Sequence, residues 1–280
     1  MKFGVFINAS EITMDVGDLA EALEERGFES IWLPEHTHIP SSRLTRPPVG
    51  RGDLPEEYKH SLDPWVGLAV AAMRTTRLRL GTGVALVMER DPIALAKSVA
   101  SLDQLSGGRV EFGVGGGWNR EEMENHGTPF DRRFRILRER TEAMQAIWTQ
   151  EEASYRGETV RFERIWSWPK PVQKPHPPII MGGDGPHTLK RVVRYADEWM
   201  PIQQTLGSLS DKVSRLNALA AEAGRGPIPV GLFFATRKPR ELAEFQAAGV
   251  KRCVFYLPPL MRDGLLPKLD ALVPLVEQFA

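Results

Sequence analysis

The alternation of two hydrophobic periods constrains this chain more than any other feature. Short apolar runs with the length of a buried β-strand occur eight times, and each is followed by a segment whose apolar residues repeat at helical spacing. The predicted strands cover approximately residues 3–7, 30–34, 78–86, 109–114, 178–182, 198–202, 229–235 and 251–257. Such alternation is typical of a parallel sheet whose strands are joined by crossover helices.

Eight βα units in 280 residues favour a closed barrel over an open, doubly wound sheet. The turn after the first predicted strand, residues 8–11, lacks the glycine-rich loop of dinucleotide-binding sheets. We therefore predict an α/β fold in which residues 1–280 form a single (β/α)8 TIM barrel domain. Its functional site is expected at the carboxyl ends of the strands, where barrel enzymes carry their chemistry.

Charge and composition disfavour several classes of protein. Lys and Arg together number 36, as do Asp and Glu, so no net charge attracts nucleic acid or an anionic membrane. No segment approaches the roughly 18 apolar residues of a membrane span, and residues 1–7 do not resemble a signal peptide. Cys253 lies in an apolar run, which indicates a buried strand thiol. We expect a cytoplasmic protein without nucleic-acid or membrane partners.

Acidic and imidazole side chains follow the second predicted strand directly. Glu35, His36 and His38 come after its last apolar residues and are expected on the rim of the barrel. His36 is the leading catalytic candidate because an imidazole can give or take a proton near neutral pH. Glu35 is expected to hold the tautomer of His36. A structural or surface histidine fits the same spacing equally well.

Glycines cluster at the ends of three predicted strands. The third strand contains Gly81 and Gly83, the fourth leads into residues 115–117, and the fifth leads into residues 182–185. Because glycine loses more conformational entropy on folding than other residues, such clusters indicate close approach of a ligand or of backbone. A bulge or a barrel corner also explains the third strand, and Asp184 would oppose an anion bound at the helix that follows.

Two predicted connections are too long to be simple turns. Residues 35–62 are either a loop that folds over the site or a solvated basic loop, and they contain three central arginines, Arg43, Arg46 and Arg51. Residues 150–178 contain a predicted β-hairpin around Gly157, followed by a proline-rich extended segment.

Several segments together resemble the luciferase-like monooxygenase superfamily, and especially its branch that uses coenzyme F420, an 8-hydroxy-5-deazaflavin, in place of FMN. The resemblance runs from residue 1 to about residue 205. Its most specific segments are LPEHTHIP at 33–40, LGTGV at 80–84, LDQLSGGR at 102–109, GGGWNREE at 115–122 and WPKPVQKP at 168–175.

The resemblance implies where a cofactor lies. It implies a non-proline cis peptide between Gly83 and Val84 against the cofactor ring, with His36 beside that ring. Further cofactor contacts are implied for Gly115, Gly116, Gly117 and Asn119. The cofactor phosphate is implied near Gly182, Gly183 and Gly185.

The implied reaction is hydride transfer between F420 and a small organic substrate, because a deazaflavin carries hydride and does not activate oxygen. His36 would handle the accompanying proton. With FMN the same scaffold would act as a monooxygenase supplied by a separate flavin reductase. The resemblance also implies a homodimer.

Two alternative functions from other classes of protein remain open. His36 and His38 form the His-x-His pair of metal-dependent barrel hydrolases, but further ligands are hard to find, since His176 precedes the fifth strand and His187 lies in a predicted helix. We therefore predict no metal site. A barrel that binds a flavin without catalysis is the other alternative.

Overall fold

Parallel strands alternate with helices along the chain. The computed structural model describes residues 1–47 and 53–279. Its strands are β1 Lys2–Phe6, β2 Ser30–Leu33, β3 Arg79–Thr82, β4 Val110–Val114, β5 Ala153–Arg156, β6 Arg161–Ile165, β7 Ile179–Met181, β8 Glu198–Trp199, β9 Gly231–Phe233 and β10 Arg252–Tyr256. Each of the eight predicted barrel strands is confirmed, mostly with a shorter span.

The eight barrel strands are hydrogen-bonded side by side in the order β8, β7, β4, β3, β2, β1, β10, β9. Isolated parallel bridges from Trp199 to Val230 and from Ile202 to Phe233 join the two outer strands of this order. The sheet thus closes on itself, and the predicted single (β/α)8 TIM barrel fold is confirmed. Strands β5 and β6 pair antiparallel as the predicted hairpin outside the barrel.

The helices surround the barrel, and several begin at a side chain suited to that position. They are α1 Val16–Glu25, α2 Pro64–Arg74, α3 Pro92–Leu105, α4 Arg120–Asn125, α5 Arg133–Thr149, α6 Thr188–Tyr195, α7 Leu209–Glu222, α8 Pro239–Ala247, α9 Arg262–Asp270 and α10 Val273–Phe279. The Asp63 and Asp91 carboxylates accept hydrogen bonds from the first turns of α2 and α3, each of which starts with proline. Over residues 1–47 and 53–279, no helix is long and apolar enough to cross a bilayer.

Side chains point alternately outward and inward along each strand, so the apolar residues form two separate layers. Residues that point outward pack against the helices in one large buried core. Residues that point inward form a separate inner cluster, consisting of Phe6, Trp32, Ile180, Met200, Phe233 and Val254. Because successive strand residues face opposite sides, this inner cluster fills the barrel and forms the floor beneath its carboxyl-terminal mouth.

Candidate active site

A cavity of about 370 Å³ opens at the carboxyl ends of the barrel strands. Most of the sequence-predicted site residues line it, namely Glu35, His36, Gly83, Val84, Gly115, Gly116, Gly117, Gly182, Gly183 and Gly185. The remaining one, Asn119, is buried at the start of α4 and is absent from the lining. The fold therefore brings together residues that follow β2, β3, β4 and β7.

His36 is held by a carboxylate that sequence reasoning did not select. Its Nδ1 lies 2.7 Å from Oε2 of Glu122, whose side chain is fully buried. The backbone N–H of Thr37 and the Asn119 amide also donate to Glu122, at 3.0 Å and 3.3 Å. Since a carboxylate that receives several donors acts only as an acceptor, Nδ1 carries the hydrogen of a neutral His36. The Nε2 lone pair is then left free in a ring that lines the cavity.

Glu35 has other partners than His36. Its carboxylate accepts hydrogen bonds from the backbone N–H of Leu86, at 2.6 Å, and from the Arg90 guanidinium. Burial raises the pKa of Glu35, and Arg90 opposes that rise by stabilising the carboxylate. The prediction that Glu35 holds the tautomer of His36 is wrong, because Nδ1 of His36 is bound to Glu122 and the Glu35 carboxylate is bound to Leu86 and Arg90. A catalytic role for Glu35 stays a prediction.

The peptide bond between Gly83 and Val84 is cis, as the resemblance implies. The Val84 side chain lies against two glycines of neighbouring strand ends. A Cβ atom on Gly115 would come within 2.7 Å of Val84 Cγ2, and one on Gly182 within 3.0 Å of Val84 Cγ1. These two glycines are therefore required by protein packing, because a side chain would displace Val84 from the cavity wall.

The described residues leave open space around Gly183 and Gly185, in the turn that follows β7. Gly183 has a φ of +85°, which favours glycine, and a Cβ atom there would meet nothing within 4 Å. A Cβ atom on Gly185 would meet only Thr188 Oγ1, at 3.7 Å. Asp184 lies in the same turn, but Lys212 Nζ is 3.5 Å from its carboxylate. This ion pair offsets the negative charge that opposes anion binding at the turn.

The lining also contains aromatic residues, of which Trp118 lies in the 115–122 segment that carries the family resemblance. The Tyr58 and Trp118 rings lie 5.5 Å and 5.6 Å from the His36 ring, centroid to centroid. Phenylalanines complete the apolar wall, namely Phe6, Phe134, Phe233 and Phe234. No local signal marks Tyr58, since it comes from a short 3-10 helix in the long connection.

Glu122 did carry a sequence signal, but one that indicates a different contact. Asn119 caps α4 by accepting from the Glu122 backbone N–H at 3.4 Å, and the Asn-x-x-Glu spacing is that of a capping box. That motif predicts a glutamate that turns back to its own helix. Instead, the Glu122 side chain bonds His36 and Thr37 across the mouth of the barrel.

The long connection 35–62 lies beside the cavity where it is described. Glu121 on α4 accepts hydrogen bonds from the backbone N–H groups of Leu44 and Thr45, at 2.7 Å and 3.1 Å. Burial acts in the opposite direction, but these hydrogen bonds lower the pKa of Glu121 to about 2. The Arg43 guanidinium lies 5.6 Å from the Trp118 ring, whereas Arg51 falls outside the described residues.

The two histidines after β2 have separate partners. While His36 bonds Glu122, His38 contacts Thr37 Oγ1 at 2.9 Å and Asn125 Nδ2 at 2.9 Å. Among the residues that the structure describes, no three His, Cys, Asp or Glu side chains are arranged to hold a metal ion. The ligand set that a metal-dependent hydrolase needs is therefore not assembled in this part of the chain.

Comparison with other protein sequences identifies relatives over most of the chain. An uncharacterized protein of Mycobacterium tuberculosis is 42% identical over 276 residues, which are 97% of both chains. The F420-dependent hydroxymycolic acid dehydrogenase of the same organism is 27% identical over 216 residues, 76% of this chain and 55% of that one. The FMNH(2)-dependent dimethylsulfone monooxygenase of Pseudomonas putida is 33% identical over 156 residues, 54% of this chain and 43% of that one.

Solved structures share the whole architecture. The monooxygenase RslO1 from Streptomyces bottropensis superposes with a TM-score of 0.79 at 20% identity and covers 100% of both chains. The F420-dependent tetrahydromethanopterin reductase from Methanopyrus kandleri gives a TM-score of 0.72 at 18% identity, over 97% of this chain and 96% of that one. The family model described as luciferase-like monooxygenase matches residues 1–269. The chain therefore belongs to the luciferase-like monooxygenase family.

Proposed function

We propose that this chain is an F420-dependent oxidoreductase that transfers hydride between F420 and a small organic substrate. The family and the named relatives support the broader class, an oxidoreductase with a flavin-type cofactor. One observation carries the narrower proposal: a buried carboxylate holds His36 by Nδ1 at the cavity that Gly83 and Val84 also line.

The residues of the cavity fit a flat ring that carries a phosphate. Val84 would lie against the ring, and residues 115–117 would pass along it with little side-chain bulk. The turn from Gly182 to Gly185 would hold the phosphate, since the open space there suits a bulky anion. Asn119 would act indirectly, by donating to the Glu122 carboxylate that holds His36.

A bound deazaflavin would supply a ring carbon that donates or accepts hydride. The chain itself would manage the proton. His36 would accept a proton at Nε2 from the substrate during oxidation, or return it during reduction, while the Glu122 carboxylate stabilises the charge that forms on the ring. Glu35 would act as a positioning residue, because it ties the strand end that carries His36 to Leu86 and Arg90.

An FMN-dependent monooxygenase supplied by a separate flavin reductase is the second candidate, because the Pseudomonas putida relative uses FMNH(2). The F420-dependent relative aligns with 76% of this chain, and the FMNH(2)-dependent one with 54%. The proposal follows the F420-dependent relative because it spans more of the chain, at 27% identity against 33% for the shorter FMNH(2)-dependent match.

Titration of the purified protein with F420 and with FMN, each followed by fluorescence, tests the choice of cofactor. We expect saturable binding of F420 in the micromolar range and at least about tenfold weaker binding of FMN, a difference of about 1.4 kcal/mol. Tighter binding of FMN would replace the proposal by the monooxygenase alternative. Saturation with F420 but no turnover on a broad panel of alcohols, ketones and alkenes would indicate binding without catalysis.

Substitution of Glu122 tests the role of the His36 pair. The Glu122→Gln variant should lose roughly 100-fold or more in kcat with the first active panel substrate, the usual range for removing acid–base assistance. Its dissociation constant for F420 should stay within about threefold of wild type, because the side chain lies behind His36. Glu124→Gln is the matched control on the exposed side of α4, where Glu124 pairs with Arg120, and it should retain full activity.

A further inference from the structure

Asn8 is a buried polar residue at the mouth of the barrel that the proposed hydride chemistry does not use. It follows β1, and the backbone N–H of Ile7 still bonds to Trp32 O at 3.2 Å, so strand pairing continues to this point. Strand alternation therefore turns Asn8 to the same side as Phe6 of the inner cluster. Asn8 is only 3% exposed and lines the cavity.

The side-chain amide of Asn8 lacks a hydrogen-bond partner in the described part of the protein. Its Oδ1 is buried and accepts no hydrogen bond from any described residue. Buried side-chain amides in native proteins nearly always have partners, since leaving one unpaired costs about 1–3 kcal/mol. At the wall of a cavity, ordered water or a bound molecule satisfies such an amide.

Much of the cavity wall is apolar and aromatic. The Phe6 ring lies 4.9 Å from the Phe234 ring, and both rings line the cavity together with Phe233 and Ile202. A largely apolar wall that includes an unpaired amide suits a molecule with an apolar body and one polar substituent, because the wall packs the body and the amide orients it.

We infer that Asn8 is the specificity-determining residue for a small, mainly apolar substrate that bears a hydroxyl or carbonyl oxygen. A neutral amide offers both an acceptor and two donors, so it can accept from a hydroxyl and donate to a carbonyl. It thus suits both members of an alcohol–carbonyl pair. The identification of this molecule as the hydride partner rests on the proposed function, whereas its binding to Asn8 does not.

Three probes of similar shape distinguish the contribution of the oxygen to binding from that of the apolar body: 1-phenylethanol, acetophenone and ethylbenzene. Their dissociation constants for the full-length protein can be measured by ligand-detected NMR, with and without F420. In Asn8→Leu, which keeps the size of the side chain, the two oxygenated probes should bind roughly 5- to 100-fold more weakly, the range expected for losing one hydrogen bond in a buried site. Ethylbenzene should bind as well as before or better.

Two further variants complete the test. Phe234→Leu alters the apolar wall alone and should weaken all three probes by similar factors. In Asn8→Ser the hydroxyl is too short to reach the probe oxygen, so the two oxygenated probes should again be weakened selectively. This variant provides the same measurement if Asn8→Leu does not fold. Equal changes for all three probes in both Asn8 variants would overturn the inference, as would a tenfold loss of F420 affinity, which would place Asn8 in the cofactor pocket. Failure of F420 to bind wild type would instead refute the proposed function and leave the probe result intact.

Discussion

Three carboxyl groups, those of Glu35, Glu89 and Glu122, lie close together behind His36. Glu35 and Glu122 each receive several hydrogen bonds. Glu89 Oε2 receives none from the described residues and lies 3.7 Å from His126 Nε2. Burial, reinforced by the charges of Glu122 and Glu35, raises the pKa of Glu89 to about 9. Glu89 is therefore expected to stay protonated at neutral pH.

The raised pKa of Glu89 makes stability depend on pH in a defined direction. Below the unfolded pKa of 4.5 the carboxyl group is protonated in both states, and between 4.5 and about 9 only the unfolded chain ionises. The free energy of unfolding should then fall by about 1.4 kcal/mol per pH unit through this window. Glu89→Gln removes this contribution. Urea unfolding of both proteins from pH 5 to 8 should show wild type losing stability relative to the variant, and parallel pH profiles would contradict the expectation.

At the scale of strands, a buried charge cluster joins the amino ends of the barrel, opposite the cavity. Arg252 on β10 lies 2.8 Å from Glu29, 3.1 Å from Glu111 on β4 and 3.3 Å from Glu198 on β8. Burial raises the pKa of Glu198 to about 7, although Arg252 opposes the shift. The Arg252 guanidinium thus offsets the negative charge of three carboxylates that come from different parts of the barrel.

Removal of this guanidinium should destabilise the barrel strongly. Arg252→Met keeps most of the side-chain volume but leaves three mostly buried carboxylates without their shared cation, for which we expect a loss of about 3–5 kcal/mol in the free energy of unfolding. The matched control is Arg240→Met, because Arg240 is 91% exposed and pairs with Glu244 one helical turn away. The control should change stability by less than about 0.5 kcal/mol. Similar values for both variants would show that the cluster contributes little.

At the scale of the whole molecule, one face remains apolar and exposed. Val66 and Met73 on α2 are 66% and 72% exposed, and Leu105 at the end of α3 is 68% exposed. Together with neighbouring side chains they line a shallow groove between the two helices. A contiguous apolar surface of this kind on a folded protein is typical of an interface.

We expect this face to form the homodimer that the family resemblance implies. Met73→Asp places a charge in the groove and should convert a dimer into a monomer of 31.4 kDa, as measured by light scattering after size-exclusion chromatography. Met261→Asp is the control, because Met261 is 62% exposed and lies outside the groove. A wild-type protein that is monomeric at all concentrations would refute the expectation.

The fold was predictable from the sequence because hydrophobic periodicity is a local property. Each strand and each helical stripe is encoded within about ten neighbouring residues, and eight repeats of the pair specify a closed barrel. The placement of His36 and of the glycine segments at one mouth follows from the same topology. The cis peptide at Gly83–Val84 came from family resemblance alone and was confirmed.

By itself, the sequence determined the barrel, the end of the barrel that carries the cavity, and ten of the 24 residues that line it. Only the tertiary structure decided which carboxylate holds His36, since Glu122 lies 86 residues away and the adjacent Glu35 turns to Leu86 and Arg90. The same holds for the unpaired amide of Asn8. Side-chain pairing depends on distances between strand ends that are far apart in the chain, and no local pattern records those distances.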